Sequence, residues 1–229
     1  NKTVLITGSN RGIGLALAKK YCELGWRVIG TARDIASADK LAGLGPYKIV
    51  PMDVTDENSI ERVAATSLHS EPIDMLINNS AVLRSGSLHE LTKHDLMAQF
   101  EVNAVGPLLV TRAFLPNLRA AAQEKGSATV AHISSRAGSI GDNISGGNYG
   151  YQASKAALNM INKCLATDLK SDCIACVVLH PGFVKTDMTH GKGDITTEQS
   201  VDGLVRVLEE LSLEQSGTFL RFDGGTIPW

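Results

Sequence analysis

The sequence predicts a doubly wound α/β fold, with a seven-stranded parallel sheet covered by helices on both faces. Three observations predict it. Seven short apolar runs rich in Val, Ile and Leu recur along the 229 residues, and near-continuous apolarity marks strands buried on both faces. Longer stretches of helical character lie between them, so strand and helix alternate throughout. A turn with glycines at 8, 12 and 14 joins the first apolar run to the first helical stretch. Right-handed crossovers then give a doubly wound sheet whose ligand crevice lies at the carboxyl ends of the strands.

Taken in order, the strands are expected at residues 3–7, 27–32, 47–51, 74–78, 128–134, 174–180 and 217–222. Helices are expected at 13–24, 57–69, 92–120, 150–170 and 197–211, with a shorter one at 36–43. Gly25 stops the first helix, and Thr55-Asp56-Glu57-Asn58 supplies caps and acidic first-turn residues for the next long one. No internal repeat, low-complexity tract or linker interrupts the pattern, so one domain spanning 1–229 is expected.

Composition bounds the function. With 43% hydrophobic residues, 20% charged residues and a formal net charge of -2, the chain is of ordinary globular type and gives no sign of a nucleic-acid partner. No apolar stretch approaches the ~18–20 residues of a membrane span. The chain enters its first strand without a signal-peptide pattern, so a soluble cytoplasmic protein with no membrane partner is expected. The four cysteines, at 22, 164, 173 and 176, are too few for a disulfide scaffold. Cys173 and Cys176 enter an apolar run, where residues three apart face opposite sides, and read as structural thiols. Histidines 69, 89, 94, 132 and 190 have no metal-ligand spacing, and no metal is expected.

Two motifs carry chemistry. Thr7-Gly8-Ser9-Asn10-Arg11-Gly12-Ile13-Gly14 follows a strand and opens a helix, the context a dinucleotide-binding turn requires. There the backbone reaches positive φ, and a diphosphate approaches main-chain N–H groups and the positive end of a helix dipole. The second motif is Tyr151-Gln152-Ala153-Ser154-Lys155. Residues four apart share a helix face, so the Lys155 ammonium, together with a cationic nicotinamide, can favour the Tyr151 phenolate. A free tyrosine titrates near ~10 and needs such a field to exchange protons at neutral pH. Y-x-x-x-K alone is also what a solvated helix face carries, so its meaning depends on the glycine turn.

Together, T-G-x-x-x-G-x-G near the start and Y-x-x-x-K past mid-chain resemble the short-chain dehydrogenase/reductase family. Further matches follow in the family's order: Asn78-Asn79-Ser80-Ala81 where the family has N-N-A-G, then Asn103, Ile133-Ser134-Ser135 before the Tyr-Lys helix, and Pro181-Gly182-Phe183-Val184-Lys185-Thr186 for P-G-x-x-x-T. Gly146-Gly147-Asn148-Tyr149-Gly150-Tyr151, His180-Pro181-Gly182 and the ending Asp223-Gly224-Gly225-Thr226-Ile227-Pro228-Trp229 are similar to sniffer-type carbonyl reductases and C-factor-like proteins.

The resemblance implies a Rossmann-type fold and a division of roles. Tyr151 is the implied general acid to a carbonyl oxygen and Ser135 a second donor to it. Lys155 is implied to hold the nicotinamide ribose and stabilise the phenolate, and Asn103 to order a water of a proton relay. Spacing to Lys155 selects Tyr151 over Tyr149. Of the adjacent serines only one faces the site, and the family's I-S-S pattern makes it Ser135. Implied cofactor contacts are Gly8, Ser9, Asn10, Arg11, Gly12, Ile13 and Gly14 in the turn, Arg33 after the second strand, Asp53 and Val54 at the adenine, Asn79, Ser80 and Ala81, then Pro181, Gly182, Val184 and Thr186. Asp53 can alternatively cap the next helix.

Ala32 aligns with the position where the family's NAD-selecting members carry an acid. Arg33 follows it and Arg11 sits in the glycine turn, an arrangement that accompanies NADP preference in the family. Asp34 dissents, because a frame shift of two would make it a ribose ligand. The expected function is NADPH-dependent hydride transfer between nicotinamide and a small-molecule carbonyl or alcohol substrate. The alternative is a cofactor-bound signalling protein of C-factor type; sugar-nucleotide epimerases share Y-x-x-x-K but differ in glycine spacing. His180 either touches substrate or satisfies its own hydrogen bonds. The loop from Gly138 to Asn148 is placed to shape the substrate pocket, and the short polar segment between Thr186 and Thr197 predicts an open cleft with loose substrate selectivity. Apolar residues on more than one face of the long helices predict a homodimer or homotetramer.

Overall fold

All seven expected strands pair in parallel in the computed structural model, which describes residues 1–229. They are β1 (Thr3–Ile6), β2 (Arg27–Ala32), β3 (Lys48–Pro51), β4 (Met75–Asn78), β5 (Ala128–Ile133), β6 (Ile174–His180) and β7 (Phe219–Arg221), in the order β3-β2-β1-β4-β5-β6-β7. The helices are α1 (Gly12–Glu23), α2 (Asp39–Ala42), α3 (Glu57–Arg62), α4 (Lys93–Phe100), α5 (Gly106–Ala113), α6 (Leu115–Lys125), α7 (Tyr149–Asp168) and α8 (Thr197–Glu209). Strand order reverses between β1 and β4, so the crevice opens where β1 feeds the glycine turn and β4 ends in Asn78-Asn79.

Side-chain alternation along the strands divides the core into two layers. Val4 and Ile6 pack with Leu17 and Tyr21 of α1, Leu41 of α2 and Leu204 of α8. Leu5, one residue out of phase, packs on the opposite face with Ile60 of α3, Val110 of α5, Leu118 of α6 and Ala166 of α7. Phe114 is wholly buried in this second layer, and complete burial of such a side chain contributes about 1.5–3 kcal/mol.

The stretch expected as one helix over 92–120 runs unbroken from α4 through a π-helical turn into α5 and is interrupted once, at Phe114. Pro107 lacks an N–H and its ring crowds the carbonyl of Asn103, and a π-helical turn at Glu101–Val105 precedes it. Pro116 likewise stands at the start of α6, next to the break at Phe114. The last piece runs on to Lys125, past the expected end, until Gly126 takes the left-handed conformation at φ 91°. A second π-helical turn, Val63–Ser67, ends the helix expected over 57–69, and the piece expected at 36–43 is a 3-10 turn followed by α2. Asp56 caps α3, accepting a hydrogen bond from the Asn58 amide at 3.0 Å.

Candidate active site

The glycine turn is fastened to the end of β4. Asn79 donates its side-chain amide to the carbonyls of Thr7 (3.0 Å) and Gly8 (3.1 Å), and the Thr7 hydroxyl accepts from the amides of Asn79 (2.9 Å) and Ser80 (3.1 Å). Ser9 is fully buried and its hydroxyl donates to the Thr31 carbonyl. Its side chain therefore anchors the turn on β2. Gly8 and Gly12 hold positive φ, at 62° and 56°. Arg11, preceding α1, makes no side-chain cap, and the first turn of that helix holds no acidic residue. Its leading amides and the positive end of its dipole thus suit a diphosphate, and the residues present fit a dinucleotide.

At the adenosine end, Ala32 closes β2, and Arg33 and Arg11 are both exposed. Neither makes an ion pair. The Asp34 carboxylate instead caps the 3-10 turn, accepting from the Ala36 amide at 2.9 Å. Asn10 donates to the Ser37 hydroxyl of that same turn. One Asp53 oxygen accepts from the amide (2.9 Å) and hydroxyl (2.8 Å) of Thr55, and Asp56, not Asp53, caps the helix. The side chains of Val54 and Val184 are buried, so any contact they make with cofactor comes from their backbone.

On the other side of the crevice, the structure brings Ser135, Tyr151 and Lys155 together. Ser135 opens a 3-10 turn, Arg136–Gly138, that packs against α7. Any Cβ at Gly138 would lie 2.8 Å from the Lys155 carbonyl carbon, so only glycine lets the turn approach that helix. The Ser135 hydroxyl lies beside the Tyr151 phenol and favours its ionised form. Ser134 faces away, buried, donating to Asn159 at 2.8 Å. Lys155 is buried beneath the ring, its amine 5.7 Å from the ring centroid and 2.9 Å from the Ile133 carbonyl that accepts from it.

Burial dominates the titration of this pair. It pushes the phenol up to about 12 against the opposing influence of the Ser135 hydroxyl, and draws the Lys155 amine down to about 7. The protein alone therefore does not supply the full field the phenolate needs, and the positive charge of a bound nicotinamide ring is the remaining source. The Asn103 side chain is not free to hold a water. It accepts from the Val82 amide and donates to the Val82 carbonyl, both at 2.9 Å, and donates to the Ser154 hydroxyl at 3.0 Å. It clamps the β4 loop to α7, while Pro107 leaves the carbonyl of Asn103 without its helical donor.

The depressed Lys155 amine predicts a pH dependence of stability in the cofactor-free protein. Between pH 7 and 10.5 the unfolded chain holds a proton that native Lys155 has lost, so unfolding free energy rises with pH. Above roughly pH 9, Cys22 and Cys176 oppose it, since burial raises their native pKa. Urea titrations should show a rise on the order of 1–2 kcal/mol from pH 7 to pH 8.5 that Lys155→Met abolishes. An unchanged slope in that variant rejects the assignment.

Beyond Ser135 lies a half-open cavity of about 470 Å³, lined by His180, Phe183, Arg221 and Phe222 among others. Sequence reasoning missed Arg136, Asp194 and Arg221 as lining residues; the only signal was that Arg136 follows β5 and Arg221 ends β7, and nothing marked Asp194. His180 accepts a hydrogen bond from the Arg136 amide through Nδ1 (3.2 Å) and also lines the cavity. His132 is wholly buried beside Asn78, and burial together with the Lys155 charge takes it down to about 3. No helix is long and apolar enough to cross a membrane.

Comparison with known proteins agrees with this architecture. The family model described as short chain dehydrogenase matches residues 2–199. Over 171 residues, 73% of this chain and 99% of the relative, the sequence is 42% identical to the protein named C-signal of Myxococcus xanthus. Among solved structures, the NADPH-bound carbonyl reductase from chicken fatty liver superposes with a TM-score of 0.94 at 39% identity, covering 100% of this chain and 99% of that one. Carbonyl reductase Sniffer of D. melanogaster superposes with a TM-score of 0.93 at 31% identity, over 100% and 99% of the two chains.

Proposed function

This chain belongs to the short-chain dehydrogenase family of oxidoreductases, and from that premise we propose that it is an NADPH-dependent carbonyl reductase or, in reverse, an alcohol dehydrogenase. The observation that carries the reading is the grouping of Ser135 beside the Tyr151 phenol with the Lys155 amine 5.7 Å from the same ring and one helical turn further along α7. A bound nicotinamide cofactor supplies the hydride. Ser135 and Tyr151 hold the substrate oxygen between two hydroxyl donors, and Tyr151 transfers the proton to it. Lys155 holds the cofactor ribose and, once protonated, lowers the phenol's pKa. The carbonyl of Asn103, left without a helical donor by Pro107, is the acceptor for a water returning protons to Lys155. NADP-bound relatives, the two unpaired arginines, neutral Ala32 and the committed Asp34 support NADPH over NADH.

The test is NADPH and NADH oxidation with aldehydes, ketones, diketones and quinones. NADPH should be preferred, and Arg33→Gln should raise its KM by about 10-fold or more with little effect on NADH, since hydrogen bonds to charged groups contribute about 1.5–3 kcal/mol. Equal use of both cofactors by the unmodified protein rejects the preference; no oxidation with any substrate rejects the enzyme reading. The 42% identity to C-signal favours a second reading, in which cofactor occupancy tunes a signalling surface. A homodimer or homotetramer in the cytoplasm remains part of the proposal.

A further inference from the structure

We propose that the cavity beside Ser135 is a subsite for substrates that carry both a carboxylate and an ammonium group, an inference that rests on the hydride-transfer reading above. Two guanidinium groups line it, each held by one edge only. Arg136 donates through Nε to Asp142 at 2.8 Å, and both of its Nη atoms lack a protein partner. Arg221 donates through Nε (3.0 Å) and Nη2 (2.7 Å) to Asp223, and its Nη1 lacks a partner. Any Cβ at Gly225 would lie 2.9 Å from that Nη2, so a side chain there would displace the guanidinium.

His180 adds a neutral donor. Its Nδ1 accepts from the Arg136 amide, so Nε2 carries the ring proton, and burial with the two arginine charges keeps the ring neutral down to about pH 4. Asp194 is the counterpart. It lines the cavity as an exposed residue whose carboxylate has no partner, while its amide donates to the Phe183 carbonyl at 2.8 Å and Ile195 bridges to Val184. Phe183, Ile195 and Phe222 supply the apolar wall between these charges.

This arrangement discriminates by charge. A neutral substrate would strip water from both arginines and Asp194 without replacing its hydrogen bonds. A simple anion meets the Asp194 and Asp223 carboxylates, and a simple cation meets Arg136 and Arg221. Only a zwitterion satisfies both sets, with its carboxylate on the free guanidinium edges and its ammonium on Asp194.

The test compares NADPH oxidation with 4-formyl-L-phenylalanine, its methyl ester, its N-acetyl derivative and the doubly capped compound. The unmodified amino acid should have the highest kcat/KM, and each cap should lower it about 10-fold, the exposure of the arginines limiting the effect. In Arg136→Gln the acid-to-ester ratio should fall toward one while the effect of N-acetylation persists; Asp194→Asn should do the reverse. A doubly capped compound reduced as efficiently as the free amino acid overturns the subsite and leaves the reductase reading intact. Should none of the four be reduced, calorimetry on the NADP-loaded protein decides. Phenylalanine binding about 10-fold or more tighter than N-acetylphenylalanine methyl ester supports the subsite, and equal or absent binding overturns it.

Discussion

Tyr151→Phe should lower kcat for carbonyl reduction by about 10²–10⁴-fold while leaving NADPH affinity within a few-fold of the original. The substitution removes one oxygen and keeps the ring that covers Lys155, whose amine lies 5.7 Å from its centroid. The Ser135 hydroxyl stays in place, because the Ala137 amide donates to it at 3.1 Å and Gly138 seats the turn on α7. Ser135 then becomes the one remaining hydroxyl donor to the substrate oxygen, with no acid to deliver the proton. Stopped-flow measurement of hydride transfer, alongside fluorescence titration of NADPH, separates the two effects. Retained turnover removes Tyr151 from the chemistry. In the signalling reading, biological activity survives this substitution although turnover does not.

The same pair shows what was legible in the sequence and what was not. The spacing of Tyr151 and Lys155 placed both on one helix face, and the apolar runs gave the sheet its seven strands, because period and spacing are local properties. What the sequence could not convey depends on packing. Lys155 is drawn down to about 7 by burial beneath elements distant in the chain, so its expected ammonium field is weaker in the protein alone. Ser9 and Asn103 sit in the expected motifs, yet their side chains are consumed by Thr31 and by Val82 and Ser154. The break at Phe114 is written in Pro116, two residues on, and Pro107 marks the π-helical turn just before it. Asp194 and Arg221 fall in no motif, and only the fold brings them to the cavity with Ser135.

Gly14→Ala should weaken NADPH binding by about 100-fold and lower stability by about 1–3 kcal/mol. A Cβ at this position would lie 2.3 Å from the Gly8 carbonyl oxygen and 2.5 Å from the Asn79 side-chain nitrogen. Neither can yield cheaply: that oxygen accepts from Asn79 at 3.1 Å, and the same nitrogen donates to the Thr7 carbonyl at 3.0 Å. The turn must therefore lift from β4 or α1 must shift, and either movement misdirects the helix-terminal amides proposed to hold the diphosphate. Gly12→Ala provides the contrast. Its added carbon would meet nothing nearer than Thr186 at 4.0 Å, so the penalty there is the positive φ of 56° alone, about 1–2 kcal/mol. Calorimetric titration with NADPH, paired with urea unfolding of the cofactor-free proteins, should find affinity lost far more in Gly14→Ala than in Gly12→Ala. The reverse order would mean that backbone conformation, rather than the close approach of α1 to the turn, determines how the diphosphate is held.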